Sequence, residues 1–276
     1  MDLPKIHSIT KKIFVALVGG FLLVFLLFHM TANLFILRHD DGEWYSAFCH
    51  FMGTNWLVKI AEIGLLGFIA LHILLTLWLA VTNRLARPVR YHQPSRTKTH
   101  PGSKLMIWTG VLIFACIAIH FYDFYLVKTG LVKGQYMVKL ENFSKLNEKA
   151  MSDEDVQAVF FRGLEDGNIS EDGQWLRHIT YEERTLLKER VSDCGVEPDF
   201  YYMAREKFSH LHIVIGYLVF FFILFFHLRH AFPSAFQTLG LNNYKYNKAI
   251  EILGKIYTWI IVLGFACVPI LVYLGL

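Results

Sequence analysis

Four histidines stand inside four otherwise uncharged, apolar runs of this 276-residue chain: His29, His72, His120 and His227. An ionisable side chain in hydrocarbon is costly, so it ordinarily faces a bundle interior and holds or relays something. A neutral imidazole offers one ring nitrogen as a metal ligand or proton acceptor. One such group on each of four helices supplies two ligands apiece to two irons, which is what two b-type haems require. Proton or metal transport is the other chemistry open to the same residues. A transporter would carry internal repeats or broken helices, and no repeat is evident. A single intramembrane histidine is most simply a hydrogen-bonded interior residue; four, one per run, argue for a shared role.

The elements that position them are the runs themselves: Ile13–Leu37, Ile63–Asn83, Leu105–Tyr122, Phe208–Leu228 and Ile256–Leu276. Each is close to the roughly 20 residues that cross a bilayer core, and the second is expected to begin near Leu57. The fold class expected is therefore all-α: a polytopic membrane protein whose five transmembrane helices form a bundle. Lys11 and Lys12 precede the first run in the manner of a signal peptide. That run, however, is 25 residues long and no A-x-A-like site follows it, so it is read as a span. Cys49, Cys116, Cys194 and Cys267 are scattered with no C-x-x-C, which excludes an iron–sulfur cluster held by this chain alone. No G-x-G-x-x-G marks a dinucleotide fold, and a net charge of +4 gives no nucleic-acid signal.

Basic residues in short loops set orientation. Arg84, Arg87, Arg90, Arg96, Lys98 and Lys104 lie between the second and third runs; Lys5, Lys11 and Lys12 precede the first; Arg229, Lys245, Lys248 and Lys255 separate the fourth and fifth. All three segments are placed on the cytoplasmic side, with the N-terminus inside and the C-terminus outside. The expected location is the cell's inner (cytoplasmic) membrane. The mixed-charge region Lys128–Lys207 then lies outside as a mostly helical extracytoplasmic insertion between the third and fourth helices. Within it, Ser152 with Asp155 and Thr180 with Glu183 read as helix N-caps. The domains expected are thus 1–127 (helices one to three), 128–207 (the insertion) and 208–276 (helices four and five).

At a helix rise of about 1.5 Å per residue, His29 and His120 lie roughly 24 and 22 Å from the cytoplasmic face. His72 lies about 16 Å from it, and His227 only a few residues from the end of its run. The levels suggest an outer pair, His29 with His120, and an inner pair, His72 with His227. His210 and His212 at one mouth of the fourth run, and His230 at the other, are weaker rivals. A cytochrome of the bc type would place two ligands about fourteen residues apart on each of two helices; His212 and His227 come near that spacing, but no second helix does.

The sequences around these histidines resemble a known family. "FHMTANL" (Phe28–Leu34), "HFMG" (His50–Gly53), "HFYDF" (His120–Phe124) and above all "FHLRHAFPSAFQTLG" (Phe226–Gly240) look like the diheme cytochrome b membrane-anchor subunit of succinate dehydrogenase and fumarate reductase. The similarity covers Ile6–Val127 and Phe208–Leu276; the long insertion departs from it. The resemblance implies two haem b groups with His29, His72, His120 and His227 as axial ligands, paired first with third and second with fourth. It also implies flavoprotein and iron–sulfur subunits docked on the cytoplasmic face, and menaquinone or another quinone as the membrane substrate. The chain itself would carry no dicarboxylate chemistry. The cytochrome b subunit of another membrane dehydrogenase or hydrogenase is the alternative, against which "SAFQTLG" speaks.

Quinone chemistry moves protons as well as electrons, so a titratable group is expected near the outer haem. Glu62, in the outer third of the second run, and Asp123, one turn after His120, are the candidates. Each has a plainer role open to it: Glu62 pairing with Lys59, Asp123 marking the membrane edge. Asn33, four residues after His29, is placed to orient that ring or reach a quinone. Arg84, Arg87, Arg229 and His230, with Lys104, are placed at the inner haem edge, where guanidinium suits propionates, though inside-positive topology explains them equally. Trp56, Trp108 and Trp259 read as interfacial anchors.

Overall fold

The computed structural model describes residues 8–86, 101–144, 152–191, 195–241 and 243–276. Arg87, Arg90, Arg96, Lys98 and Lys5 lie outside the described residues. In chain order the helices are α1 (Ser8–Leu34), α2 (Glu43–Thr54), α3 (Trp56–Leu85), α4 (Pro101–His120), α5 (Leu126–Thr129), α6 (Leu140–Ser144), α7 (Glu154–Glu165), α8 (Tyr181–Arg190), α9 (Phe200–Phe208), α10 (Leu211–Thr238) and α11 (Asn247–Tyr273). The strands are β1 (Tyr136–Lys139), β2 (Trp175–Ile179) and β3 (Glu197–Pro198).

Five helices are long and apolar enough to cross a membrane: Ile9–Leu37, Trp56–Leu85, Leu105–Thr129, Leu211–Thr238 and Asn247–Tyr273. Only segments that satisfy their own backbone hydrogen bonds can cross hydrocarbon, and uncharged runs of this length do so as helices. The helices outrun the apolar stretches at their polar ends, because a backbone ladder does not stop where charge begins. Thus α10 continues past Arg229 and His230 to Thr238, and α11 starts at Asn247, well before Ile256. His227 therefore stands about three turns inside its helix rather than near its end.

The chain divides into two compact units. The first comprises the described residues of Met1–Leu34, Trp56–Cys116 and Ile215–Pro269. Here α1 and α3 run close together. The α11 helix meets α1 through Tyr257, whose hydroxyl donates to the Leu23 carbonyl at 2.6 Å, and through Gly264, whose bare Cα admits the Met30 side chain. Large rings fill the space between α10 and α11: Phe225 on Trp259 (4.8 Å), Phe221 on Phe265 (5.6 Å) and Phe232 on Tyr257 (5.3 Å).

The second unit comprises Phe35–Asn55, the described residues of Ile117–Val214, and Ile270–Leu276. It gathers the turn that follows α1 (Phe35–Leu37), the C-terminal ends of α4 and α11 and the N-terminal end of α10. Helices predominate in the insertion, but a three-stranded antiparallel sheet, ordered β2-β1-β3, organises its core. Tyr136 opposes Ile179 and Val138 opposes Leu176, with an irregularity between Tyr136 and Val138. The buried cluster joins Tyr136, Val138, Leu176 and Ile179 to Val156 and Val159 of α7, Leu187 of α8 and Met203 of α9. Thr180 caps α8 in a reciprocal box with Glu183. The cap of α7 is Asp153, one residue later than Ser152: its carboxylate accepts from the Asp155 and Val156 amides at 3.1 and 3.3 Å.

Candidate histidine site

His72 of α3 and His227 of α10 both belong to the first unit. The His227 ring lies within electrostatic range of His72 and of His230. A glycine lies against each ring. A Cβ on Gly19 of α1 would meet His72 Cε1 at 3.6 Å, and one on Gly110 of α4 would meet His227 Cε1 at 3.7 Å. Both rings are half-buried, yet their hydrogen bonding differs. His227 Nδ1 lies 3.2 Å from the Thr109 hydroxyl oxygen of α4. His72 Nδ1 is buried and has no hydrogen-bond partner among the described residues. Leaving such an atom unmet costs about 1–3 kcal/mol.

His29, also in the first unit, is flanked by aromatic rings: Phe25 stacks on it at 5.3 Å and Phe265 lies at 5.7 Å. Asn33 does reach it. The Asn33 amide nitrogen donates to the His29 carbonyl at 2.7 Å and lies 3.3 Å from His29 Nδ1. The amide therefore presents hydrogen to Nδ1, which places the imidazole proton on Nε2. A ring that bonds metal through Nε2 needs the opposite arrangement, so Asn33 has to turn away, or swap its oxygen for its nitrogen, before His29 serves as such a ligand. Glu62 is half-buried on α3 in this unit.

His120 belongs to the second unit. It is the last residue of α4, and directly after it the helix widens into a π turn, Phe121–Tyr125. Such turns appear mostly as single insertions in α-helices, frequently at functional sites. The turn carries Phe124, whose ring lies 5.0 Å from His120 and 6.4 Å from Phe200 of α9. It also carries Asp123, which accepts from the Lys207 ammonium at 2.8 Å. That ion pair ties the end of α4 to α9.

Other expected site residues are dispersed. Arg84 is exposed at the end of α3, whereas Arg229 and His230 are half-buried on α10. Arg87 falls outside the described residues. His210 and His212 are exposed and stack on each other at 5.7 Å. Among the described residues no three His, Cys, Asp or Glu side chains gather as a metal site. Two imidazoles are what a macrocycle requires, since it supplies its own four nitrogens to the iron. Thr109, Gly110 and Gly19 were not singled out from sequence. The available signal was a Thr-Gly pair within the apolar third run, near the same membrane end as His227.

No protein-family model, curated protein or solved structure matches this chain. Imidazole is nevertheless the donor type that a b-type haem iron takes. Two imidazoles from different helices lie within electrostatic range, one with its Nδ1 beside a hydroxyl and the other with an Nδ1 that has no partner among the described residues, and a glycine lies against each ring.

Proposed function

We propose that this chain is a diheme cytochrome b and serves as the membrane anchor of a succinate:quinone oxidoreductase or quinol:fumarate reductase. The observation that carries it is that His72 of α3 and His227 of α10 lie in one unit within electrostatic range of each other, with a buried Nδ1 on His72 that has no hydrogen-bond partner among the described residues. The motif resemblance around the histidines supports the family. His72 and His227 are assigned as axial ligands of an inner haem b, and His29 and His120 as ligands of an outer one. Bound haem supplies one-electron transfer between a cytoplasmic iron–sulfur subunit, itself reduced or oxidised by a flavoprotein subunit, and quinone in the membrane.

The chain's own residues divide the remaining work. Phe25 and Phe265 hold the His29 ring between aromatic faces. Proton exchange with the quinone is assigned to Glu62 and Asp123, the latter with its carboxylate on the Lys207 ammonium. Arg84, Arg229 and His230 are assigned to propionate contacts, and the basic segments to the cytoplasmic side of the inner membrane.

Optical spectroscopy of the purified full-length chain tests this. Low-spin b-type bands and two haems per chain are expected. Replacing His227 by alanine should remove one haem and spare the other, and replacing His29 should remove the second. A chain with no such bands, or one haem per chain, refutes the proposal, and persistence of both haems in either variant refutes the pairing.

A further inference from the structure

We infer that Thr109 is a positioning residue that fixes the tautomer of His227 and so aims its Nε2 lone pair at the inner iron. This rests on the haem assignment above. A threonine hydroxyl has one proton to give. At Thr109 that proton goes to the carbonyl of its own helix, Met106 at 3.0 Å or Leu105 at 3.2 Å. The oxygen's remaining acceptor capacity faces His227 Nδ1 at 3.2 Å. Nδ1 is therefore the ring's donor, and Nε2 keeps the lone pair that bonds a metal. A Thr-to-backbone bond of this kind also fixes the hydroxyl rotamer, so the acceptor is pre-aimed. The neighbouring Gly110 lies against the same ring: a Cβ there would stand 3.7 Å from Cε1, ordinary van der Waals contact.

The other ligands assigned in the first unit lack this arrangement. His72 Nδ1 has no hydrogen-bond partner among the described residues, and His29 Nδ1 faces the donor side of the Asn33 amide. His227 is thus the ligand that Thr109 pre-organises. Groups that hold the second nitrogen of a ligating histidine typically change metal affinity 10- to 100-fold when removed.

Full-length Thr109→Val and Thr109→Ser chains, in membranes, test the inference. Haem per chain is read by pyridine haemochromogen, and the midpoint of each b haem by optical redox titration. Thr109→Val keeps the shape and loses the hydroxyl. It should weaken haem retention about 10- to 100-fold at one of the two sites and shift one of the two potentials, leaving the other in place. Thr109→Ser should restore both readouts. If Thr109→Val does not accumulate, Thr109→Ala carries the same comparison. A valine variant identical to wild type overturns the inference. So does a variant that perturbs both haems equally and is not rescued by serine, since that is a packing defect. Wild-type protein without haem overturns the haem assignment itself, and the role of Thr109 with it.

Discussion

Replacing Arg177 by methionine should open the sheet of the second unit, and the cost follows from the burial of its partner. Arg177 lies in β2 with 2% of its side chain exposed, and its guanidinium meets the fully buried Asp199 at 3.2 Å. Its Nε and Nη2 have no hydrogen-bond partner among the described residues, and the planar group sits 5.1 Å from the Tyr202 ring and 5.9 Å from that of Tyr201. The net worth of such a pair is small, because desolvating two charges offsets their attraction. Removing the arginine alone is a different perturbation. It strands a carboxylate, at a cost of about 3–5 kcal/mol.

Burial already holds the Asp199 carboxyl above its ordinary range, with Arg177 pulling it down. Without Arg177 it rises further. A raised carboxyl favours the folded state below its unfolded value of 3.8 and loses that contribution as pH rises through the folded value. The deficit of Arg177→Met should therefore be full at neutral pH and shrink in acid. Asp199 also caps α9 by accepting from the Tyr202 amide at 3.2 Å, and an asparagine keeps that cap. The double variant Arg177→Met/Asp199→Asn should thus recover most of the loss. In hydrogen exchange of the full-length chain, 3–5 kcal/mol corresponds to about 100- to 4000-fold faster exchange of the β1 and β2 amides. The double variant should stay within about tenfold of wild type. Equal loss in single and double variants, or less than tenfold loss in the single, would refute the reasoning.

Two further outcomes concern the same unit. The Tyr202 hydroxyl donates to Asp41 at 3.1 Å, and burial first, then Asp41, pushes it up to about 12 from an ordinary 10.0. It therefore supports folding fully below pH 10, and that support falls as pH rises towards 12. Tyr202→Phe should flatten the alkaline loss of near-ultraviolet circular dichroism across that window, and equal slopes would show that Tyr202 is not the group responsible. Gly42, the N-cap of α2, has φ +74°, and a Cβ there would fall within the Tyr201 ring. Gly42→Ala should cost at least about 1–2 kcal/mol from backbone strain alone and expose the Phe35–Asn55 segment to protease. Wild-type resistance would contradict that packing.

Much of the helical architecture was legible because crossing a bilayer is a local requirement. Length and the absence of charge marked five helices, and only their ends moved, as at Trp56 and Thr238. Thr180 and Glu183 gave away a helix start for the same local reason. The sheet was not legible. Its strands are short and β1 is covered on both faces, so "YMVK" shows no alternation, while "WLRHI" hides an arginine that points into the interior. A buried charge reads as a surface residue until its partner, 22 positions away, is known.

At the candidate site, sequence by itself determined which residue type stands in the apolar runs and the helices that carry it. An imidazole within an apolar run has few other uses, and the run's length fixes its approximate depth. Only tertiary structure decided which atoms face those imidazoles. The Thr109 hydroxyl on His227, the amide hydrogens of Asn33 on His29 and the unmet Nδ1 of His72 are three different electronic settings for the same residue type. Asn33 lies one helical turn from His29, but the polarity it presents depends on its bond to a backbone carbonyl. Thr109 is 118 residues from His227 in sequence, and no periodicity within one helix specifies which rotation of its neighbour it will meet.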